Sequence, residues 1–552
     1  MIDYRTPLSD ILFALDHAAE AGRLPGWDRD LAAEVLGHAA RLVDEVIAPI
    51  DPLGDAEGCR LEGGEVRMPA AFRAAWEAYA AGGWPALSAP EEFGGQGLPH
   101  ILSACLSEML AGASLSFQMV LILGTAALRT LAANASADQK ARLIPRLASG
   151  EWLATMALTE PQAGSDLSLV RTTASPEADG SWRITGSKIF ISGGGHDLTG
   201  GRILHLVLAR TGDPSLGTKA LSLFACPSIL DDGGRNAISV LRLEEKMGMH
   251  ASPTCQLAFD GAWSEIIGRP GEGLARMFTM MNIQRLEVAL EGIGLAEAAG
   301  QRSRAYAATR RQGRLPGRQG PQPIAAHDDV RRMLLAQIAL TQGCRAMIYR
   351  GLVELELDPA SPLVQFMTPV CKAFATEAAM AAADHAIQVH GGYGFLREYR
   401  VEQLLRDGRI TKIYEGTNGI QAATLAGRLL SQDGGRPAEA FGRDAEAAAA
   451  LAGRVAPALA TALGHWRSAT EAVRGSAALS TVADAYMRLS GLVALGAAWA
   501  RLESAGAKAP NPTRIAAAAE YVARWMLPES AHLAALCAGA SPLSGLDDEV
   551  FA

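Results

Sequence analysis

The sequence predicts a multidomain α+β protein in which an all-β middle domain is flanked by helical segments on both sides. Three observations carry this. Residues 1–155 are rich in alanine and leucine at helical spacing, with few β-branched runs. From 156 to 268 the texture shifts to short β-type runs, WRITGSKIFISGG, ILHLVLART, ALSLFACPS, AISVLRL and CQLAFDGAW, separated by Gly, Asp and Pro turns. Helical segments then return from about 269 onward. No helix lies between the β-type runs, so an antiparallel barrel or sandwich is predicted and not a parallel α/β sheet.

Taken in order, the N-terminal helical domain, with an N-terminal extension, spans 1–155 and is interrupted by the loop GWPALSAPEEFGGQGLP at 83–99. The middle β domain spans 156–268. A helical domain follows over 269–433, broken by the loop GRLPGRQGPQP at 313–323. SQDGGRPAEA at 431–440 reads as a linker into a further helical domain at 441–552, itself interrupted by AGAKAPNP. In that last domain LSGLVALGAAWARL, 489–502, is too apolar to face water, and the preceding helical domain is its expected cover.

Composition narrows the function. The 552 residues are 49% hydrophobic and 20% charged, which supports large cores and argues against extensive disorder. A formal net charge of −9 does not suit nucleic acid or an anionic membrane as a partner. Seven scattered cysteines without a Cys-x-x-Cys pair read as buried thiols in a reducing compartment. The N-terminus has no basic segment followed by an apolar run, and the apolar stretch from Met119 to Leu128 is too short to span a bilayer. A cytoplasmic protein without a membrane segment is expected.

Several chemistries are excluded by motif. The chain lacks a nucleoside-triphosphate phosphate loop, a GxGxxG after a strand, an HExxH helix and a GxSxG elbow. Four glycine-punctuated polar stretches remain: TEPQAGSD (159–166), SKIFISGGG (187–195), QVHGGYGF (388–395) and YEGTNG (414–419). Taken singly, the first also fits a turn, the second a strand end and the third a helix cap. The fourth is odd. Ile410, Ile413, Tyr414, Thr417 and Ile420 repeat at helical spacing, yet Gly416 and Gly419 interrupt them beside Glu415. Glu415 fits a surface ion pair as well as a carboxylate set down at a deliberate break. Together, glycines that admit a ligand to backbone amides and hydroxyls that satisfy a polar ring suit a phosphate-bearing cofactor.

In combination these stretches resemble the acyl-CoA dehydrogenases over nearly the whole chain. TEPQAGSD and KIFIS resemble the family's two flavin-contacting segments, and Gln388 through GGYGF, EYRVEQLLRD and IYEGTNGIQ its C-terminal signature. YRTPLSDILFAL, HDLTGG, KMGMHASPTCQLAFDGA, MFTMMN and RRQGR resemble a longer bacterial branch that includes the 3-methylmercaptopropionyl-CoA dehydrogenases. That branch carries an extra C-terminal helical domain. The resemblance implies a C-terminal four-helix bundle, bound FAD, an acyl-CoA substrate, electron-transfer flavoprotein as electron acceptor and a homodimer.

Residue by residue, the resemblance implies that Glu415 takes the α-proton of the thioester while flavin N5 accepts a hydride from the β-carbon, giving the trans-2-enoyl-CoA. It places FAD on Met156, Leu158, Thr159, Ser165, Phe190, Ser192 and Thr417, with Ser165 and Arg285 also near the acyl-CoA. Arg310, Gln388, Gly391 and Gly392 match positions that serve the neighbouring subunit's FAD. Some members place the base on an earlier helix, within LDxER. Here the matching stretch is MNIQR, where Gln284 cannot act as a base. Glu287 and Glu291 nearby are expected on a solvated or ion-paired face. Departures from the family pattern are Gln312 before Gly313, Gly419 where glutamine is common, and Phe190 where short-chain members often carry tryptophan.

Two other readings use the same scaffold. A DNA-alkylation-response flavoprotein would need a basic C-terminal region, but residues 434–552 hold ten Lys plus Arg against eleven Asp plus Glu. An acyl-CoA oxidase would pass its electrons to oxygen.

Overall fold

The computed structural model describes residues 4–539 and 541–552; within MFTMMN the side chains at 278 and 279 lie outside the described set. The chain divides into two units, His38–Glu287 on one hand and residues 4–37 with Val288–Ala552 on the other. Within the stretch 1–155 the boundary between the two units falls near residue 37.

In His38–Glu287, helices Ala70–Ala81, His100–Ala113, Leu115–Asn134 and Ala137–Ala148 precede the strands. Helix Ala137–Ala148 opens on a reciprocal cap. The Ser136 hydroxyl accepts from the Gln139 N–H at 3.2 Å, and the Gln139 side-chain oxygen accepts from the Ser136 N–H at 3.1 Å. The apolar run judged too short to span a bilayer belongs to the 20-residue helix Leu115–Asn134, which is long and apolar enough by length and composition. Some 78% of its most apolar window is buried inside the protein, the situation of a core helix.

The middle domain is a seven-stranded sheet that returns on itself. Trp182–Ser192 pairs antiparallel with both Thr173–Pro176 and Thr254–Ile267. Leu221–Pro227 then pairs antiparallel with Thr254–Ile267 and with Ile203–Arg210. A single parallel register, Thr173 with Arg210, completes the closure. Leu153–Ala157 adds a parallel edge on Ile203–Arg210, and Ile238–Leu243 an antiparallel one on Thr254–Ile267. Alternate residues face an apolar interior that includes Ile184, Ile191, Val207, Phe224, Leu257 and Phe259. Between Lys188 and Ile191 the register with Thr254–Ile267 slips. That bulge matters for the site.

The other unit is built on the part of helix Gly273–Thr309 from Val288 onward and on the long helices Asp328–Leu357 and Pro362–His390, with shorter ones at Val401–Gly408 and Asn418–Ala423. Residues 4–37 are tied to it through Asp10, whose Oδ2 accepts from Gln342 Nε2 at 2.9 Å and from Arg514 Nη1 at 3.2 Å. The expected linker at 431–440 is different in the structure: a turn at Gln432–Gly435 leads straight into helix Arg436–Ala449. Pro437, in the first turn, suits a helix start because its missing N–H has no intrahelical partner there anyway.

Helices Val455–Val473, Leu479–Ser504, Pro512–Tyr521 and Glu529–Gly539 complete the chain. The apolar run 489–502 is buried throughout, within Leu479–Ser504, and Trp499 Nε1 donates to Ala339 O at 2.8 Å. Gly343 permits that approach, since a Cβ there would collide with Leu495 and the Trp499 indole.

Candidate functional site

In His38–Glu287, the loop Leu158–Ser165 is fastened to strand Trp182–Ser192. The Ile189 N–H donates to Thr159 O at 2.9 Å. Lys188, fully buried, donates to Leu158 O at 2.9 Å and to Glu160 Oε1 at 2.8 Å. Glu160 also accepts from the N–H groups of Arg171 and Thr172 at 2.8 and 3.0 Å. Burial works against its charge, but the Lys188 ammonium and these donors prevail and hold the carboxyl down to about 2. Thr159 is left half-buried and Ser165 exposed on the far side of this anchor.

The bulge after Lys188 puts Phe190 at φ 58° with its ring 61% exposed. A large aromatic residue rarely adopts that conformation or that exposure. Met156 lies near the end of strand Leu153–Ala157, Leu158 is buried beside it, and Ser192 ends strand Trp182–Ser192. Arg285 lies on helix Gly273–Thr309, with Nη1 donating to Asn282 Oδ1 at 3.2 Å.

In the other unit, Glu415 sits in a break between two helical stretches, as the glycines predict. Its φ is 54° and that of Gly416 is 86°. Thr417 restarts the helix: its Oγ1 accepts the Ile420 N–H at 3.2 Å and caps Asn418–Ala423. Gln421 Nε2 donates to Glu415 O at 3.2 Å, and the Tyr414 hydroxyl donates to Glu291 Oε2. Glu415 itself is half-buried.

Arg310, Gln388, Gly391 and Gly392 come together. They line a cavity of about 680 Å³ with Tyr306 and Tyr393 among the other lining residues. The Arg310 guanidinium lies 5.6 Å from the Tyr393 ring centroid, a cation–π geometry. Gly391, at φ 61°, and Gly392 leave open space where a Cβ would stand, so a ligand can approach the backbone. Tyr306 stacks on His390 with centroids 4.2 Å apart. The sequence reading missed Tyr306 altogether and quoted Tyr393 without a role, although the QVHGGYGF stretch was the signal. Glu415 and Thr417 do not line this cavity.

One expectation is overturned. Glu287 and Glu291 do not lie on a solvated face: they are 1% and 0% exposed. Burial raises the Glu287 carboxyl to about 7. His100 Nε2, 4.0 Å away, is itself driven well below the usual histidine range by burial. Gln284 is buried as well. Among the described residues no group of His, Cys, Asp or Glu is arranged to hold a metal ion.

The N-terminal, middle and C-terminal domain profiles of acyl-CoA dehydrogenase match residues 33–151, 155–262 and 271–430 in turn. The chain belongs to the acyl-CoA dehydrogenase family. As a member it is an FAD-dependent oxidoreductase acting on acyl-CoA thioesters. It is 41% identical to 3-methylmercaptopropionyl-CoA dehydrogenase of Ruegeria pomeroyi over 460 residues, 79% of this chain and 78% of that protein. Its fold is that of Caenorhabditis elegans ACDH-11 in complex with C11-CoA, with TM-score 0.79, 22% identity, and coverage of 95% of this chain and 92% of that one. A structure described as the electron transferring flavoprotein of Acidaminococcus fermentans superposes with TM-score 0.64 and 25% identity over 74% of this chain and 100% of that one.

Proposed function

We propose that this acyl-CoA dehydrogenase removes the α-proton of its thioester with Glu415 and forms the trans-2-enoyl-CoA. The observation that carries the reading is the carboxylate held at φ 54° in a glycine-bounded helix break. An unbroken helix would commit its backbone amides to internal bonds; a break leaves room for donors to reach a thioester carbonyl as negative charge develops on it.

The residues present suit FAD. Arg310 and the open backbone at Gly391 and Gly392 provide donors for a phosphate-bearing group in a cavity large enough to take part of it. Thr159, Ser165 and Ser192 offer hydroxyls for a polar ring edge, Met156 and Leu158 supply neighbouring backbone, and Phe190 offers an exposed aromatic face. Thr417 Oγ1 keeps its own proton to donate while it caps a helix. Bound FAD supplies the hydride acceptor for the β-carbon. Glu415 accepts and holds the α-proton, and Arg285 and Ser165 help orient the CoA thioester.

The similarity to the Ruegeria pomeroyi enzyme supports 3-methylmercaptopropionyl-CoA as substrate, with short and medium acyl-CoAs as the other candidates. The likeness to the Acidaminococcus fermentans structure and the family resemblance support electron-transfer flavoprotein as acceptor. Anaerobic mixing of the holoenzyme with acyl-CoA thioesters, followed at the flavin absorbance, tests the reaction.

The same reading has Arg310 and the Gln388–Gly392 segment serve a second subunit's FAD, so a homodimer is proposed. The C-terminal helices pack through Trp499 onto Asp328–Leu357, and on this reading they take the helical face on which further subunits would otherwise assemble. Light scattering is expected to give about twice 57.9 kDa. A stable tetramer would contradict this assignment.

A further inference from the structure

Lysine is rarely buried without a purpose, because taking an ammonium out of water costs several kcal/mol unless strong acceptors replace the solvent. Lys372 lies in the interior of helix Pro362–His390 and is fully buried. Its Nζ donates to Gly416 O at 2.9 Å and to Asn418 Oδ1 at 2.9 Å. Gly416 lies in the break that carries Glu415, and Asn418 opens the helix that follows it. Asn418 is fixed in turn from its other end, where Nδ2 donates to Thr376 Oγ1 at 3.1 Å and to Glu377 Oε1 at 3.1 Å. One face of a rigid helix therefore grips the loop at two points, immediately after the carboxylate.

The conformation gripped is a costly one. Two successive residues have positive φ, and one of them is a glutamate, which disfavours the left-handed region by roughly 1–2 kcal/mol. Such a conformation persists where its surroundings over-determine it. The Gln421 side chain on Glu415 O adds a bond from the loop's own helix, but Lys372 supplies the charge-assisted bonds, which are roughly twice as strong as neutral ones.

We propose that Lys372 is a positioning residue for the reaction: it sets the direction of the Glu415 carboxylate by clamping the Gly416 carbonyl and Asn418. The inference rests on Glu415 being the α-proton base. It assigns Lys372 no contact with substrate or FAD.

The test is Lys372→Met, which keeps the length and apolar stem and removes the charged donor. It is measured as holoenzyme beside Glu415→Gln, by anaerobic stopped-flow reduction at saturating acyl-CoA. The expected result is FAD content and acyl-CoA dissociation constant within about threefold of wild type, with the limiting rate of reduction lower by about 10–10²-fold, the scale of a misplacement of about 1 Å. An α-deuterated substrate should show a larger rate ratio in the variant, because proton removal has become slower; a general loosening of the bundle would lower thermal stability without that change. An unaltered limiting rate in folded Lys372→Met overturns the proposal. If Lys372→Met does not retain FAD, Asn418→Ala removes one of the two anchors at a half-buried position; it should slow reduction about 3–10-fold, and an unaltered rate there overturns the proposal equally. If Glu415→Gln is itself reduced at the wild-type rate, the base assignment has failed, and that outcome is distinct from failure of the clamp.

Discussion

Glu415→Gln is expected to purify yellow, with FAD bound, and to be reduced by acyl-CoA about 10²–10⁴-fold more slowly than wild type, the usual contribution of a positioned general base. On the barrier this is about 3–5 kcal/mol. Glutamine keeps the length and planar end of the side chain and leaves Gly416, Thr417 and Lys372 in place, so the substitution removes the proton acceptor alone. Near-normal reduction would move the base to Glu287 or Glu291, both of them buried. Glu287 is fully buried beside His100 and is raised to about 7 by that burial. Glu291 receives the Tyr414 hydroxyl.

Lys188→Met is expected to cost about 3–5 kcal/mol in stability, the range for breaking a buried ion pair and leaving one charge behind. Glu160 would keep its two backbone donors but lose the ammonium at 2.8 Å. The loop Leu158–Ser165 would also lose the bond at Leu158 O, so FAD retention should fall along with the urea midpoint. Replacing both partners, Lys188→Met with Glu160→Gln, should recover part of the stability, because the remaining group is then neutral. The pH dependence has a definite sign. The folded carboxyl is held at about 2 against its usual 4.5, so the fold binds fewer protons than the unfolded chain between those values. That stabilisation is complete above about pH 4.5 and is lost as pH falls towards 2. In Lys188→Met the acid transition should move upward; an unchanged midpoint would show that the pair does not hold the loop.

The order of helical, β and helical segments was legible because periodicity survives in any single segment, and the four polar stretches were legible because glycine is costly wherever no turn or ligand needs it. The helix break at Glu415 was read from Gly416 and Gly419 alone. Burial was harder to read. Glu287 and Glu291 lie on a 37-residue helix that is enclosed over much of its length, so no polar stripe distinguished an exposed face from a covered one. Lys188 and Lys372 look like ordinary surface lysines in sequence; only the tertiary fold brings Glu160 to one and Gly416 and Asn418 to the other. The SQDGGRPAEA stretch read as a linker because its two glycines precede a proline, and that proline proves to be the start of a helix. The association of residues 4–37 with the C-terminal unit includes Asp10 meeting Gln342 and Arg514, partners hundreds of residues away that no local pattern announces.

The most direct test of the central claim is the half-reaction itself. Holoenzyme is mixed anaerobically with a panel of acyl-CoA thioesters, 3-methylmercaptopropionyl-CoA and straight-chain short and medium acyl-CoAs among them, and the oxidised flavin absorbance near its visible maximum is followed while the thioester product is analysed. The account predicts that at least one member of the panel bleaches the flavin with formation of one equivalent of trans-2-enoyl-CoA, and that Glu415→Gln does so far more slowly. A folded, FAD-loaded protein that no acyl-CoA of the panel bleaches, or a Glu415→Gln variant that bleaches at the wild-type rate, would contradict it.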